Sequence, residues 1–193
     1  MRNHCGLEVA EQAHRLPFWK VPQFKEAPWR KQRDVAANAI RKAVREHVGL
    51  LTFWGDYGAG KTLALQIVLN ELREGGHALD GYYAPFAVIL DHLRSLFNQR
   101  EGTSTYWQRL LSVPVLAVDE VTRFNATSDW QRDMLFVLVD TRYRRRASHL
   151  TLFATNDDPR KALPTTDNLG YLFSRMREGT LIELRGDVRG AGE

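Results

Sequence analysis

Apolar residues recur along the chain in two rhythms: short, mostly apolar runs, and longer stretches at three- and four-residue spacing. Runs at 50–54, 113–118 and 150–154 read as buried strands, because such a run suits a strand covered on both faces, and 78–83 and 180–184 are further strand candidates. The longer stretches read as helices. Val35, Ala36, Ala39, Ile40, Ala43 and Val44 put a helix over 30–47, and 62–74 is a second helix, stopped by Gly75-Gly76. Val88, Leu90, Leu93, Leu96 and Phe97 make the apolar side of a helix over 86–99. A polar loop at 102–105 leads to a short helix at 106–111, and further helices cover 129–145 and 167–178. Strands alternating with helices predict a parallel five-stranded sheet with helices on both faces, a three-layer α/β sandwich. Residues 1–29 follow neither rhythm. Pro17, Pro22 and Pro28 punctuate them, and Phe18, Trp19, Phe24 and Trp29 are apolar anchors, so they read as an arm that packs on the domain or docks on a partner. The organisation expected is an arm at 1–29, one domain at 30–189 and a tail at 190–193.

Composition narrows the class without naming a chemistry. Hydrophobic residues make up 44% and charged residues 26% of 193, ordinary values for a globular domain. No apolar run approaches the roughly 18–20 residues that span a bilayer, and residues 1–7 lack the apolar core of a secretion signal. The single cysteine, Cys5, forbids an intrachain disulfide, which suits a reducing cytoplasm. His4-Cys5-Gly6 has the form of a zinc-knuckle stump, while a zinc site needs about four ligands and only His4, Cys5 and His14 lie near, so both readings stay open. The net charge of +4 is largely arginine, gathered in the first 45 residues and at Arg142, Arg144, Arg145 and Arg146. Such clusters fit nucleic acid, or equally a solvated helix face or helix end.

Candidate chemistry begins where the first strand stops. Gly55-Asp56-Tyr57-Gly58-Ala59-Gly60-Lys61-Thr62 matches G-x-x-x-x-G-K-[ST] between a strand and a helix. In that setting the glycines let successive backbone N–H groups face one phosphate-sized hollow, and the helix adds its positive end. Lys61 is expected to reach the β- and γ-phosphates of ATP, the Thr62 hydroxyl to ligate Mg²⁺, and the cradle to run on to Leu63. A carboxylate partner is needed at a neighbouring strand tip. Val115-Leu116-Ala117-Val118 supplies the buried strand, and Asp119-Glu120 emerges at its carboxyl end, where open α/β sheets bind ligands. Asp119 would hold the metal and Glu120 would orient or deprotonate an attacking water, an arrangement that favours hydrolysis over phosphoryl transfer to a small molecule. A third strand, 150–154, ends in Thr155-Asn156. Asn156 would bond the attacking water or the γ-phosphate, or else cap the turn Asp157-Asp158-Pro159.

Together these elements resemble an AAA+ ATPase, with Walker A at 55–62, Walker B at 115–120 and sensor 1 at Asn156. Within that class the chain is similar to the DnaC/IstB type of helicase loader and transposition helper. The supporting residues are Phe153-Ala154-Thr155-Asn156, Asp140-Thr141-Arg142-Tyr143-Arg144, Phe173-Ser174-Arg175-Met176-Arg177-Glu178-Gly179 and the segment from Ile182 to Arg189. The resemblance covers about 30–189 and implies a homo-oligomer, a ring or spiral, in which Arg175 (with Arg177 the second candidate) reaches a neighbour's γ-phosphate. It implies DNA, single- or double-stranded, in the pore, and a replicative helicase or a transposase as partner. The segment 84–112 would face that pore. It offers Arg94, Arg100 and Arg109 to phosphates and Tyr106 or Trp107 to bases, with core packing the alternative for Trp107. The last predicted strand closes the sequence, so no full C-terminal lid domain is expected, and Arg189 is the one candidate for the arginine such a lid would carry. The rival reading is a nucleotide-gated adaptor that binds ATP and a protein partner with little turnover.

Overall fold

A computed structural model of the chain describes residues 29–75, 80–96, 100–122, 129–161 and 168–186. The readings of the arm before Trp29, of His4 and Cys5, of Phe97 to Gln99, of the tail and of Arg189 lie outside the described residues. The first helix, α1 (Trp29–Glu46), ends where His47 takes a positive φ of 59° and turns the chain into β1 (Gly49–Gly55). Then follow α2 (Lys61–Glu74), β2 (Gly81–Pro85), α3 (Phe86–Ser95), α4 (Arg100–Ser112), β3 (Val115–Asp119), α5 (Asp129–Arg144), β4 (Leu150–Thr155), α6 (Asn168–Arg177) and β5 (Thr180–Leu184).

The five strands form one sheet in the order β2-β3-β4-β1-β5, parallel at every pairing. Alternation along each strand splits the interior into two cores. Leu51, Phe53, Ala117, Leu152 and Ile182 face α1 and α2. Leu50, Leu116, Val118 and Phe153 face the opposite way, with apolar side chains of α3, α4, α5 and α6. This is the expected three-layer sandwich. Because β4 lies between β1 and β3, the tips of those three strands stand side by side at the carboxyl edge of the sheet.

Several expectations are corrected. Residues 102–105 are not a loop. They are the first half of α4, which begins at Arg100. Val35 and Val88, expected on apolar faces, are 50% and 42% exposed, whereas Ala36, Ile40 and Ala43 on α1 and Phe86, Ile89, Leu90 and Leu93 on α3 are buried. The buried sets follow the i, i+3, i+4, i+7 rule more strictly than the expected ones did. Arg142 is no surface cation. It lies fully buried on the inward stripe of α5, with Leu135, Leu138 and Val139. Its guanidinium donates to Thr151 Oγ1 (2.8 Å) and to the carbonyls of Val113 (2.6 Å), Leu150 (2.8 Å) and Leu111 (3.3 Å), tying the end of α4 to the starts of β3 and β4.

Candidate functional site

The strand-to-loop junction is built first. Gly55 has φ 130°, and a Cβ there would lie 1.9 Å from the Leu184 carbonyl, so only glycine lets β1 pass β5 at this point. Asp56 then fastens the loop. Its N–H donates to Leu184 O at 3.1 Å, and its carboxylate accepts from Gly186 N at 2.9 Å. Gly55 and Asp56 therefore frame the loop from behind, while Tyr57, Gly58, Ala59, Gly60, Lys61, Thr62 and Leu63 line a cleft of about 450 Å³. Gly60, with φ 86°, is the turn from which α2 starts, and Ala64 N already donates to Gly60 O at 2.9 Å. The first N–H groups of α2 have no partner within the helix, so the positive helix end faces the cleft.

Lys61 is buried, and its ammonium donates to Gly55 O (2.9 Å) and Asp56 O (2.5 Å). Burial lowers its pKa, and the negative charges of Asp119, Asp56 and Glu120 oppose that shift. The Thr62 hydroxyl donates to Asp119 Oδ2 at 2.6 Å. Asp119 is itself buried at the tip of β3. Its second oxygen accepts from Glu120 N at 2.8 Å, and Oδ2 also accepts from Tyr83 OH at 3.1 Å. Desolvation pushes the Asp119 carboxyl above the usual range, and these three hydrogen bonds counter only part of that. One hydroxyl and one carboxylate, both hard oxygen donors, fit a magnesium ion that takes its remaining ligands from phosphate and water. Among the described residues no three His, Cys, Asp or Glu side chains converge on one point.

Glu120 lines the same cleft and holds a positive φ of 48°, a conformation costly for a side chain of its size. The next N–H, of Val121, donates to Ala154 O at 3.0 Å, and Thr122 Oγ1 lies 2.9 Å from Thr155 Oγ1. The strand tip is thus bent over and tied to β4. Asn156 also lines the cleft, and the capping role offered as its alternative falls to Thr155, whose Oγ1 accepts from Asp157 N at 3.1 Å. Gln66 and Thr155 join the lining without having been foreseen. Gln66 sits one turn after Thr62, a spacing that would have found it.

The other expected residues do not gather here. Arg175 lies on α6, away from the cleft lining. Its guanidinium donates to Tyr171 OH at 2.6 Å, stacks on the rings of Tyr143 and Tyr171, and pairs with Glu178 at 3.4 Å. Arg94 is exposed, stacks over Trp130 at 5.2 Å and pairs with Asp91 at 3.7 Å, and Arg109 is exposed on α4. The side chain of Arg100 lies outside the described residues. Tyr106 is half-buried, its hydroxyl 3.2 Å from that of Tyr82 and its ring against His92, and Trp107 packs on the core as its alternative reading held.

Fold and cleft define a three-layer α/β sandwich in which a glycine-rich loop and an acidic strand tip share one cleft at the carboxyl edge of a parallel sheet. The comparisons with solved structures agree on that fold. The DnaC helicase loader superposes with a TM-score of 0.65 at 23% identity, over 88% of this chain and 99% of that one. DnaI superposes with a TM-score of 0.69 at 19% identity, over 94% of this chain and 96% of that one. The replication initiator DnaA, bound to AMPPCP and single-stranded DNA, superposes with a TM-score of 0.68 at 20% identity, over 90% of this chain. The chain spans half the length of that DnaA chain. No family model matches the sequence, and no curated protein matches it. Among the described residues no helix is long and apolar enough to cross a membrane.

Proposed function

We propose that this chain binds Mg-ATP in the cleft between the 55–62 loop and the tip of β3, and hydrolyses it. The observation that carries the reading is the 2.6 Å contact between Thr62 and Asp119, residues 57 apart in sequence, in a cleft also lined by Lys61, Glu120 and Asn156. Lys61 would meet the β- and γ-phosphates, the loop N–H groups would receive their oxygens, and Thr62 and Asp119 would hold the metal. When bound, Mg²⁺ would neutralise charge on the phosphates. Glu120, pinned by its neighbours' bonds to β4, would orient or deprotonate water, and Asn156 would fix that water or the γ-phosphate.

The structural likeness to DnaC, DnaI and DnaA supports a place in DNA replication, as an ATP-dependent DNA-binding protein that assists a replicative helicase. Assistance to a transposase is the other outcome the sequence resemblance implies. In this reading a ring or spiral of copies places Arg175 against a neighbour's γ-phosphate, and DNA meets Arg94, Arg100 and Arg109, with the 1–29 arm as the docking segment. The nucleotide-gated adaptor is the second reading, favoured by the internal contacts that occupy Arg175. Steady-state ATPase assays with and without DNA, alongside light scattering with a slowly hydrolysed ATP analogue, separate the two. DNA-stimulated turnover and a large complex needing both ligands support the hydrolase. A persistent monomer with negligible turnover supports the adaptor, and no uptake of Mg-ATP in calorimetry sinks both.

A further inference from the structure

β2 carries two adjacent tyrosines, and strand alternation sends them to opposite faces of the sheet. Tyr82 turns toward α4 and meets Tyr106. Tyr83 is buried in the core shared with α1 and α2, and pairs in register with Ala117, two residues before Asp119 on the same face of β3. That register lets the ring lie in the apolar layer while the phenol reaches the strand tip. Its hydroxyl donates to Asp119 Oδ2 at 3.1 Å, on the same oxygen that receives the Thr62 hydroxyl. A buried tyrosine hydroxyl needs a polar partner, and here that partner is the carboxylate assigned to the metal.

We propose that Tyr83 is a positioning residue of the magnesium site, one that fixes the orientation of the Asp119 carboxylate without touching metal or nucleotide. The inference rests on the Mg-ATP reading above. Glu120 N anchors Oδ1 and Tyr83 OH anchors Oδ2, so both oxygens are held by groups that belong to the sheet rather than to the nucleotide loop. The remaining donor, the Thr62 hydroxyl, has lone pairs to turn toward a metal while its proton stays on Asp119. Without the phenol the carboxylate would be held at Oδ2 only by a side chain that the metal also engages. Groups that orient a metal ligand in this way typically contribute about 10- to 100-fold in metal affinity.

The test is calorimetric titration of the full chain with ATP, once with Mg²⁺ and once with EDTA. Tyr83→Phe keeps the ring and removes only the hydroxyl. The expected result is a loss of about 10-fold in the gain that Mg²⁺ gives to ATP affinity, with affinity in EDTA unchanged. Tyr82→Phe, which removes the neighbouring hydroxyl on the other face, should leave both titrations as in the unaltered chain. Equal Mg²⁺-dependent gains in Tyr83→Phe and the unaltered chain overturn the proposal and leave the nucleotide site standing. An equal loss in both titrations assigns the phenol to packing and overturns it too. No Mg²⁺-dependent gain in the unaltered chain removes the underlying reading itself. Should Tyr83→Phe be unstable at room temperature, the same two titrations at a lower temperature, where circular dichroism shows it folded, take their place: a reduced Mg²⁺-dependent gain supports the proposal and an equal one opposes it.

Discussion

The hydroxyl of Thr62, at the first turn of α2, lies 2.6 Å from a carboxylate oxygen of Asp119 at the tip of β3. That contact sets a charge in a buried place. Desolvation raises the Asp119 pKa, so protonation stabilises the nucleotide-free fold. This stability is fully present below the ordinary carboxylate range and is lost as pH rises through the raised folded value. Above the ordinary carboxylate range, burial of this group therefore costs folding energy in the free chain. Asp119→Asn removes the charge, and the Thr62 and Tyr83 hydroxyls can rotate to accept from its amide. The free variant should melt higher than the unaltered chain at pH 7, and the difference should vanish in acid. The Mg²⁺-dependent part of its ATP affinity should be lost. Thermal melts across pH together with calorimetry check both halves, and a lower melting temperature at pH 7 would refute the electrostatic argument.

Glu120 presents a similar conflict between position and stability. Its positive φ of 48° bends the chain over the cleft, and the bond from Val121 N to Ala154 O holds the bend. Glu120→Gln keeps the side chain's shape, so ATP binding should persist while turnover falls by about 10²-fold or more. Glu120→Gly should lose turnover equally but stabilise the fold by about 1 kcal/mol, because glycine adopts positive φ without the side-chain penalty. Turnover assays and denaturation midpoints on the two variants separate chemistry from strain. A Glu120→Gln enzyme as fast as the unaltered one would take the catalytic role from this residue.

Arg142 carries a prediction about the fold alone. Its four acceptors are neutral oxygens, and among the described residues no carboxylate pairs with it. Burial, with Arg145's charge second, pulls its pKa down to about 10, so it stays charged at neutral pH. Arg142→Met fills a similar volume but leaves the carbonyls of Val113 and Leu150 without this donor. Each buried orphan of that kind costs about 1–3 kcal/mol. Urea denaturation should show a loss of roughly 3 kcal/mol or more, with nucleotide affinity unaltered below the transition. A neutral outcome would mean that the three segments it joins hold together by packing alone.

How much of this was legible in the sequence depends on which physical rule a residue obeys. Asp119, Glu120 and Asn156 could be found because a buried strand is a continuous apolar run, and the first polar residue after it must sit at the sheet edge. Lys61 and Thr62 could be found because phosphate binding needs glycine at fixed offsets. The second half of α4 was visible, but Gly102-Thr103-Ser104-Thr105 has weak helix propensity, and its helical state comes from context that propensity does not carry. Arg142 was grouped with its neighbours by sequence adjacency, although the helical period places it with Leu135, Leu138 and Val139. Tyr83 could not be read at all. Only register tells it from Tyr82, and register belongs to the sheet.

Arg175 offers the sharpest division between an internal and an intermolecular role. Within one chain its guanidinium is taken up by Tyr143 on α5, Tyr171 on α6 and Glu178 in the turn just after α6. If it acts on a neighbour's phosphate, those contacts are exchanged on assembly. Arg175→Ala should then bind Mg-ATP normally and hydrolyse it about 10³-fold or more slowly. Lys61→Ala should fail to bind ATP while keeping Arg175 intact. Neither alone is active, yet a mixture pairs a sound ATP site on one copy with a sound arginine on the next, and activity should return. A brace between α5 and α6 makes the opposite forecast. Arg175→Ala would then melt earlier, and mixing would restore nothing, because a brace cannot be lent across an interface.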